Sequence, residues 1–337
     1  MKITLIGTSG HDTLESNMLE AFQNLEGINP NLIQWPPMAN MSGLRIFGRI
    51  LNKLSHLYLV RRFAEPFLVR KLKTIRPDLV IVFTGAARSI SPKIVEQIKV
   101  NSKAVFCWFV DSSVNLSSSI LYSKYDQIYF VDKGLLNYLA PIMRTKKSSI
   151  LLEGFNLSHH KPKHLPSIGK NIAVVGSLYT ERILLLEFLV ERGFNLDIYG
   201  FGLPRGYVNG ILTKFDKKKF VTLEKKSQVF QNSRCVLNSF HPAHINAINC
   251  RIFEAMASGA LVVSQWSELL ANTFIDGHEI LLYKSYEDLI LILEDLYRGK
   301  YDEMSIRNNA IKAVSSHSLD NRARSIISDY KVLIHSP

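Results

Sequence analysis

The residues that invite chemistry lie in Asn246-Ala247-Ile248-Asn249-Cys250-Arg251-Ile252-Phe253-Glu254-Ala255-Met256-Ala257-Ser258-Gly259. The spacing predicts a helix that Asn249 caps and Gly259 ends, with a buried strand directly after it. Arg251 and Glu254 fall on one face of that helix. Free N–H groups at a helix start beside an arginine suit a diphosphate. A carboxylate one turn further on can accept hydrogen bonds from two ribose hydroxyls. An Arg–Glu pair on a solvated helix face has the same spacing, so the pair alone leaves both readings open.

Other positions fit the same chemistry. Gly176 and Ser177 follow an apolar run, and small residues there let backbone N–H groups approach an anion. Arg182 is placed in the first turn of the next helix, near that spot or at a tight surface turn. His11 follows the first strand in Gly7-Thr8-Ser9-Gly10-His11, either to position an acceptor or phosphate or to begin a helix. Asp111 comes just past Trp108-Phe109-Val110, where an acid can deprotonate or orient an acceptor hydroxyl, or cap the next turn. The chain has no D-x-D triplet, H-E-x-x-H, P-loop or G-x-S-x-G, and its first turn is not G-x-G-x-x-G. No metal site and no bound cofactor are therefore expected.

Short apolar runs alternate with helical stretches along the whole length. Strands are expected at Lys2–Ile6, Leu79–Phe83, Ala104–Phe109, Gln127–Val131, Ser149–Leu152, Ile172–Val175, Leu196–Tyr199, Cys235–Asn238 and Leu261–Ser264. Runs apolar on both faces suit parallel strands covered by helices, hence an α/β, doubly wound architecture. The polar, proline-broken stretch 156–170 reads as a seam. The apolar strand and small-residue turn at its far side repeat the pattern at the N-terminus. This predicts two Rossmann-like domains, 1–160 and 161–318, with a ligand cleft between them and a last helix, 319–333, packing back on the first.

The 337 residues carry a net charge of +12 and 47% hydrophobic residues, enough for two cores and a surplus that favours an anionic partner or simply aids solubility. Three scattered cysteines, Cys107, Cys235 and Cys250, argue against a disulfide framework or structural zinc and fit a reducing cytosol. No signal peptide and no bilayer-spanning run is read, so a cytoplasmic protein is expected. From 43 to 73 the chain carries Arg45, Arg49, Lys53, Arg61, Arg62, Arg70, Lys71 and Lys73 against one acid, Glu65. Over Leu44–Tyr58 the charges face away from an apolar stripe. Such a segment docks on an anionic membrane surface or is an ordinary helix packed inward. Lys217-Lys218-Lys219 and Lys225-Lys226 read as solvated loop charges. Aromatic-interleaved basic strands and zinc modules are missing, so no specific nucleic acid is expected.

The run Phe253-Glu254-Ala255-Met256-Ala257-Ser258-Gly259-Ala260-Leu261-Val262-Val263 resembles the signature of the group 1 glycosyltransferases. Further blocks over about 127–300 resemble the spore-maturation-type, CgeB-like branch: Leu151–Asn156 with His160-Lys161-Pro162, Val175–Arg182, Tyr199-Gly200-Phe201-Gly202, Asn249–Glu254 and Phe274–Ile280. The resemblance implies a GT-B fold and metal-independent transfer, with retention, from a nucleotide-diphosphate sugar to a glycan, lipid-linked or protein acceptor. Carried over, Glu254 binds the donor ribose, and Gly176, Ser177, Arg182, Gly200, Asn249 and Arg251 line the diphosphate site. The family's second glutamate, eight residues before Glu254, is replaced by Asn246, and His244 or Asn246 takes over its contact with the sugar. Two other readings remain: a nucleotide-sugar epimerase on the same fold, and a non-catalytic binder of anionic ligands or nucleic acid.

Overall fold

The computed structural model describes residues 1–35, 58–88, 90–143, 147–162, 169–204, 206–207 and 210–335. The chain divides into two units, Met1–Leu152 with Leu319–Pro337, and Glu153–Ser318.

The first unit is built on a six-stranded sheet in the order β2-β1-β3-β4-β5-β6. Its strands are β1 (Lys2–Gly7), β2 (Asn29–Gln34), β3 (Leu79–Phe83), β4 (Ala104–Phe109), β5 (Gln127–Phe130) and β6 (Ser148–Ile150). All neighbours pair parallel. The central strands β3 and β4 are buried at every residue, as expected of a sheet covered on both faces. Ile6, Val80, Val82, Val105 and Phe109 feed one core; Leu5, Ile81, Phe83, Phe106 and Trp108 feed the other. The last helix, Leu319–His335, lays Leu319, Ala323, Ile326 and Tyr330 into that second core. Asp329 accepts the Tyr129 hydroxyl at 2.6 Å, and Asp320 accepts from Asn24 at 3.0 Å.

The second unit carries five parallel strands in the order β11-β10-β9-β7-β8. They are β7 (Ile172–Val175), β8 (Leu196–Tyr199), β9 (Cys235–Asn238), β10 (Val262–Gln265) and β11 (Leu281–Tyr283). The helices Thr180–Glu191 and Tyr286–Tyr297 share one core with this sheet through Leu185, Leu186, Leu189, Leu289, Leu293 and Leu296.

The units part between Leu152 and Glu153, ahead of the expected seam. The reason is local: Gly154 and Phe155 run against His317 and Ser318, and His160 is buried within 3.7 Å of Glu254, so the segment after Leu152 packs on the second unit. Of the basic segment 43–73, residues 43–57 lie outside the described residues. The helix Tyr58–Ile75 carries Arg70, Lys71 and Lys73 exposed. Among the described residues no helix is long and apolar enough to cross a membrane.

Candidate functional site

Most of the residues singled out by sequence meet at the carboxyl ends of β7, β8 and β9, the edge where open α/β sheets bind ligands. Gly176 ends β7 at φ +121°, and its N–H donates to Tyr199 O at 2.9 Å. Gly200 ends β8, and a Cβ there would stand 2.4 Å from Gly176 O. Only two glycines let these strand ends come so close. Ser177 is exposed just beyond.

The helix Cys250–Ala257 begins beside them and closes with Ala260 N–H donating to Ala255 O at 3.0 Å. Asn249 occupies the cap position with extended backbone, but its side chain makes no cap bond. Its amide instead donates to Asn238 Oδ1 at 2.8 Å, at the end of β9. The first free N–H, on Cys250, is taken by Glu153 Oε2 at 2.9 Å. The expected asparagine cap is therefore corrected. A carboxylate does the capping, helped by the partial positive charge of the helix start. Burial, then the Glu153 charge, pushes the Cys250 thiol well above its ordinary range, which makes it a poor nucleophile.

The two arginines differ in what they touch. Arg182 is 3% exposed and its fork is engaged: Nε donates to Ser239 Oγ (3.0 Å), Nη2 to Ser239 O (2.6 Å) and Nη1 to Ser177 O (2.9 Å). Its guanidinium also lies 4.7 Å from the Tyr179 ring centre. Burial first, then the charge of Arg251, lowers it from 12.5 to about 10. Arg251 has no hydrogen bond or ion pair among the described residues, and its Nε is buried without a partner. Its Nη1 lies against Gly176, 2.9 Å from where a Cβ would sit. An arginine left unpaired over a glycine turn, close to a second cation, is an arrangement that an anion would complete.

Glu254, one turn along, is 5% exposed. Its Oε1 accepts from Lys226 Nζ at 2.7 Å and lies 3.7 Å from His160 Nε2, while Oε2 is buried and has no partner. Lys226 was expected among solvated loop charges and is not one. It sits on the helix Leu223–Gln231, which turns Lys225 outward and Lys226 inward.

Residues 182–328 match the family model described as glycosyl transferase-like. That likeness lies over the half of the chain that holds Arg182, Arg251 and Glu254. No curated protein matches the chain. Among solved structures, a glycosyltransferase from Rickettsia africae is similar with a TM-score of 0.70 at 15% identity, over 100% of this chain and 99% of that one. Sucrose-phosphate synthase from Thermosynechococcus elongatus follows at 0.68 and 14%, over 99% of both chains. Anabaena HepE, solved with UDP-glucose, gives 0.64 and 15%, over 98% of this chain and 99% of that one. The fold is GT-B, with two parallel sheets each flanked by helices.

The remaining candidates have local partners. Asn246 donates to Glu268 Oε2 at 3.1 Å and accepts from Leu269 N–H at 2.7 Å, at the start of the helix Glu268–Thr273. His244 sits on the loop after β9, its ring centre 6.4 Å from that of His241. In the first unit, His11 is exposed in the turn after β1. Asp111, beyond β4, accepts from Ser112 N–H (2.8 Å) and Asn115 Nδ2 (2.7 Å), bracing the turn Ser113–Asn115. β1 and β4 both flank β3, so these two loops share one edge of the sheet. Sequence reasoning passed over Glu153, Lys226 and the buried Glu15, which accepts both the N–H and the hydroxyl of Thr8 at 3.1 Å. Glu15 has a sequence trace, since it is the acid in the first turn behind Thr13, but no comparable signal marks the other two.

Proposed function

We propose that this chain is a glycosyltransferase that takes a nucleotide-diphosphate sugar in its second unit and transfers the sugar to a glycan, lipid-linked or protein acceptor. The observation that carries the reading is Arg251: a guanidinium without a partner among the described residues, laid over Gly176 at the sheet edge. Gly176, Ser177 and Gly200 let the diphosphate approach the backbone, and Asn249 helps hold the turn from which Arg251 projects. Arg182 shapes the same turn from beneath by tying Ser177 to Ser239. Glu254 receives the ribose through Oε2, the buried oxygen that no group among the described residues satisfies.

As the bond from sugar to diphosphate breaks, negative charge grows on the leaving group. Fixed cations and N–H groups aimed at that charge stabilise the transition state without having to reorganise. Arg251 supplies this cation and Arg182 adds to the local positive field, so the transfer needs no metal ion. His244 and Asn246 border the sugar, and the outcome is retention. In the first unit Asp111 and His11 orient the acceptor hydroxyl, and Arg70, Lys71 and Lys73 with the basic residues before them attract anionic lipid. The protein belongs to the CgeB-like branch and works in the cytoplasm. The UDP-glucose in HepE favours a UDP-sugar donor.

Thermal unfolding with UDP, GDP and ADP, each with and without its sugar, tests the reading. A ligand that binds only the native state raises the midpoint with its occupancy. At least one nucleotide is expected to do so, and its sugar to appear on an acceptor in a coupled release assay. No shift with any of them would overturn the proposal.

A further inference from the structure

Lys226 and Glu254 face each other from two packed helices of the second unit, with side chains 10% and 7% exposed. Removing two charges from water is expensive, and an apolar pair of similar volume holds helices together at least as well. Stability alone therefore does not explain the pair, nor a carboxylate whose second oxygen is buried and unsatisfied. The pairing is lopsided. Lys226 Nζ (2.7 Å) and His160 Nε2 (3.7 Å) both crowd Oε1. The His160 ring is itself braced, its Nδ1 lying 3.3 Å from Ser258 Oγ. A carboxylate with two free oxygens can take a cis-diol through two parallel hydrogen bonds. Here one oxygen is held, the group cannot swing, and a single acceptor remains.

We propose that Lys226 is a positioning residue for nucleotide recognition: by occupying Glu254 Oε1 it fixes the carboxylate so that Oε2 reads one ribose hydroxyl and not the pair. The inference rests on the reading of Glu254 as the ribose carboxylate. It adds a selectivity for the position of the hydroxyl, which that reading alone does not contain.

Calorimetric titration of the full chain with UDP, 2′-deoxy-UDP and 3′-deoxy-UDP tests it, with GDP or ADP and their deoxy pairs replacing these if UDP does not bind. For the wild type, one deoxy analogue is expected to bind within about threefold of the parent nucleotide and the other at least about tenfold more weakly, the loss of one charge-assisted hydrogen bond. In Lys226→Met the parent nucleotide should weaken and the gap between the two analogues should close to under about threefold. Lys226→Arg should restore it, because a guanidinium can hold the same oxygen. A merely structural lysine would change the melting temperature and leave the gap alone. Equal losses for both analogues in the wild type, no loss for either, or an unchanged gap in Lys226→Met would each overturn the proposal. If Lys226→Met does not fold, the wild type and Lys226→Arg still decide. Binding without a gap sinks this inference only, whereas no binding of UDP, GDP or ADP sinks the nucleotide-sugar reading beneath it.

Discussion

Replacing Arg251 by methionine separates a ligand-binding arginine from a structural one. In the free protein Arg251 has no partner to lose among the described residues, and its charge depresses Arg182. Methionine keeps most of the apolar stem over Gly176 and removes the repulsion. The ligand-free melting temperature should therefore hold or rise slightly. Binding should move the other way. A guanidinium bonded to a diphosphate contributes about 1.5–3 kcal/mol, and the upper end corresponds to roughly a hundredfold in Kd. At a nucleotide concentration about a hundred times the wild-type Kd, the native wild type gains about 2.7 kcal/mol, whereas a variant weakened about a hundredfold gains only about 0.4 kcal/mol. Differential scanning calorimetry with and without nucleotide reads both quantities in one series. Arg182→Met is the control. It strips donors from Ser239 O and Ser177 O, so it should lower the ligand-free midpoint. If Arg251→Met melts earlier while keeping its nucleotide-induced shift, Arg251 is structural and the anion site lies elsewhere.

Two further substitutions bear on the frame around the site. Gly200→Ala places a methyl 2.4 Å from Gly176 O, a backbone atom that cannot move cheaply. It should cost about 2 kcal/mol, seen as a melting temperature lower by about 4–8 °C, and an unchanged midpoint would show that the two strand ends are not so tightly apposed. Asp78 bonds Lys103 at 2.7 Å and the Lys2 N–H at 2.8 Å, and these contacts, Lys103 first, hold its carboxyl below the usual 3.8. Because the folded form binds its proton less readily than the unfolded one, this stabilisation is present above about pH 4 and is lost as pH falls through the folded value. Asp78→Asn should therefore be less stable than wild type by about 1 kcal/mol near neutrality, a difference that shrinks in urea titrations below pH 4. A gap that is constant with pH would mean the carboxylate contributes no charge effect.

Much of this architecture is visible in the residue pattern. The clearest strands in the sequence are runs buried on both faces, β3 and β4 above all, where no polar residue interrupts the signal. The strands not found are β2 and β11, each at an edge of its sheet. β2 reads Asn-Pro-Asn-Leu-Ile-Gln, and Pro30 is tolerated because an edge strand pairs on one side only. β11 is three residues long, and its apolar run has no alternation that would tell a strand from a buried helical turn. The division after Leu152 comes earlier than the polar stretch 156–170 suggests. Polarity marks where the core ends, but Glu153, Gly154 and Phe155 belong to the second unit through specific contacts that composition does not reveal.

For the candidate site, residue type and order pointed to strand ends where several of these side chains meet and stopped short of what each side chain touches. Arg182 and Arg251 look interchangeable in sequence, both cations near a glycine turn. They separate only when their donors are followed: one spends its fork on carbonyl and hydroxyl oxygens, the other stands uncommitted. Lys225 and Lys226 are adjacent and alike, and a rotation of about 100° per residue on a helix sends one to solvent and the other to Glu254. Pattern recognition detects the chemistry that a stretch can perform; only the unpaired donors and acceptors left after packing show which members of the stretch are held ready for a ligand. By that criterion Arg251 and Glu254 Oε2 qualify, together with Asn249 Oδ1 at the start of the same helix. A ligand that satisfied the first two would need an anion and a hydroxyl donor one helical turn apart, roughly 5 Å along the axis, which is the spacing a nucleoside diphosphate can span.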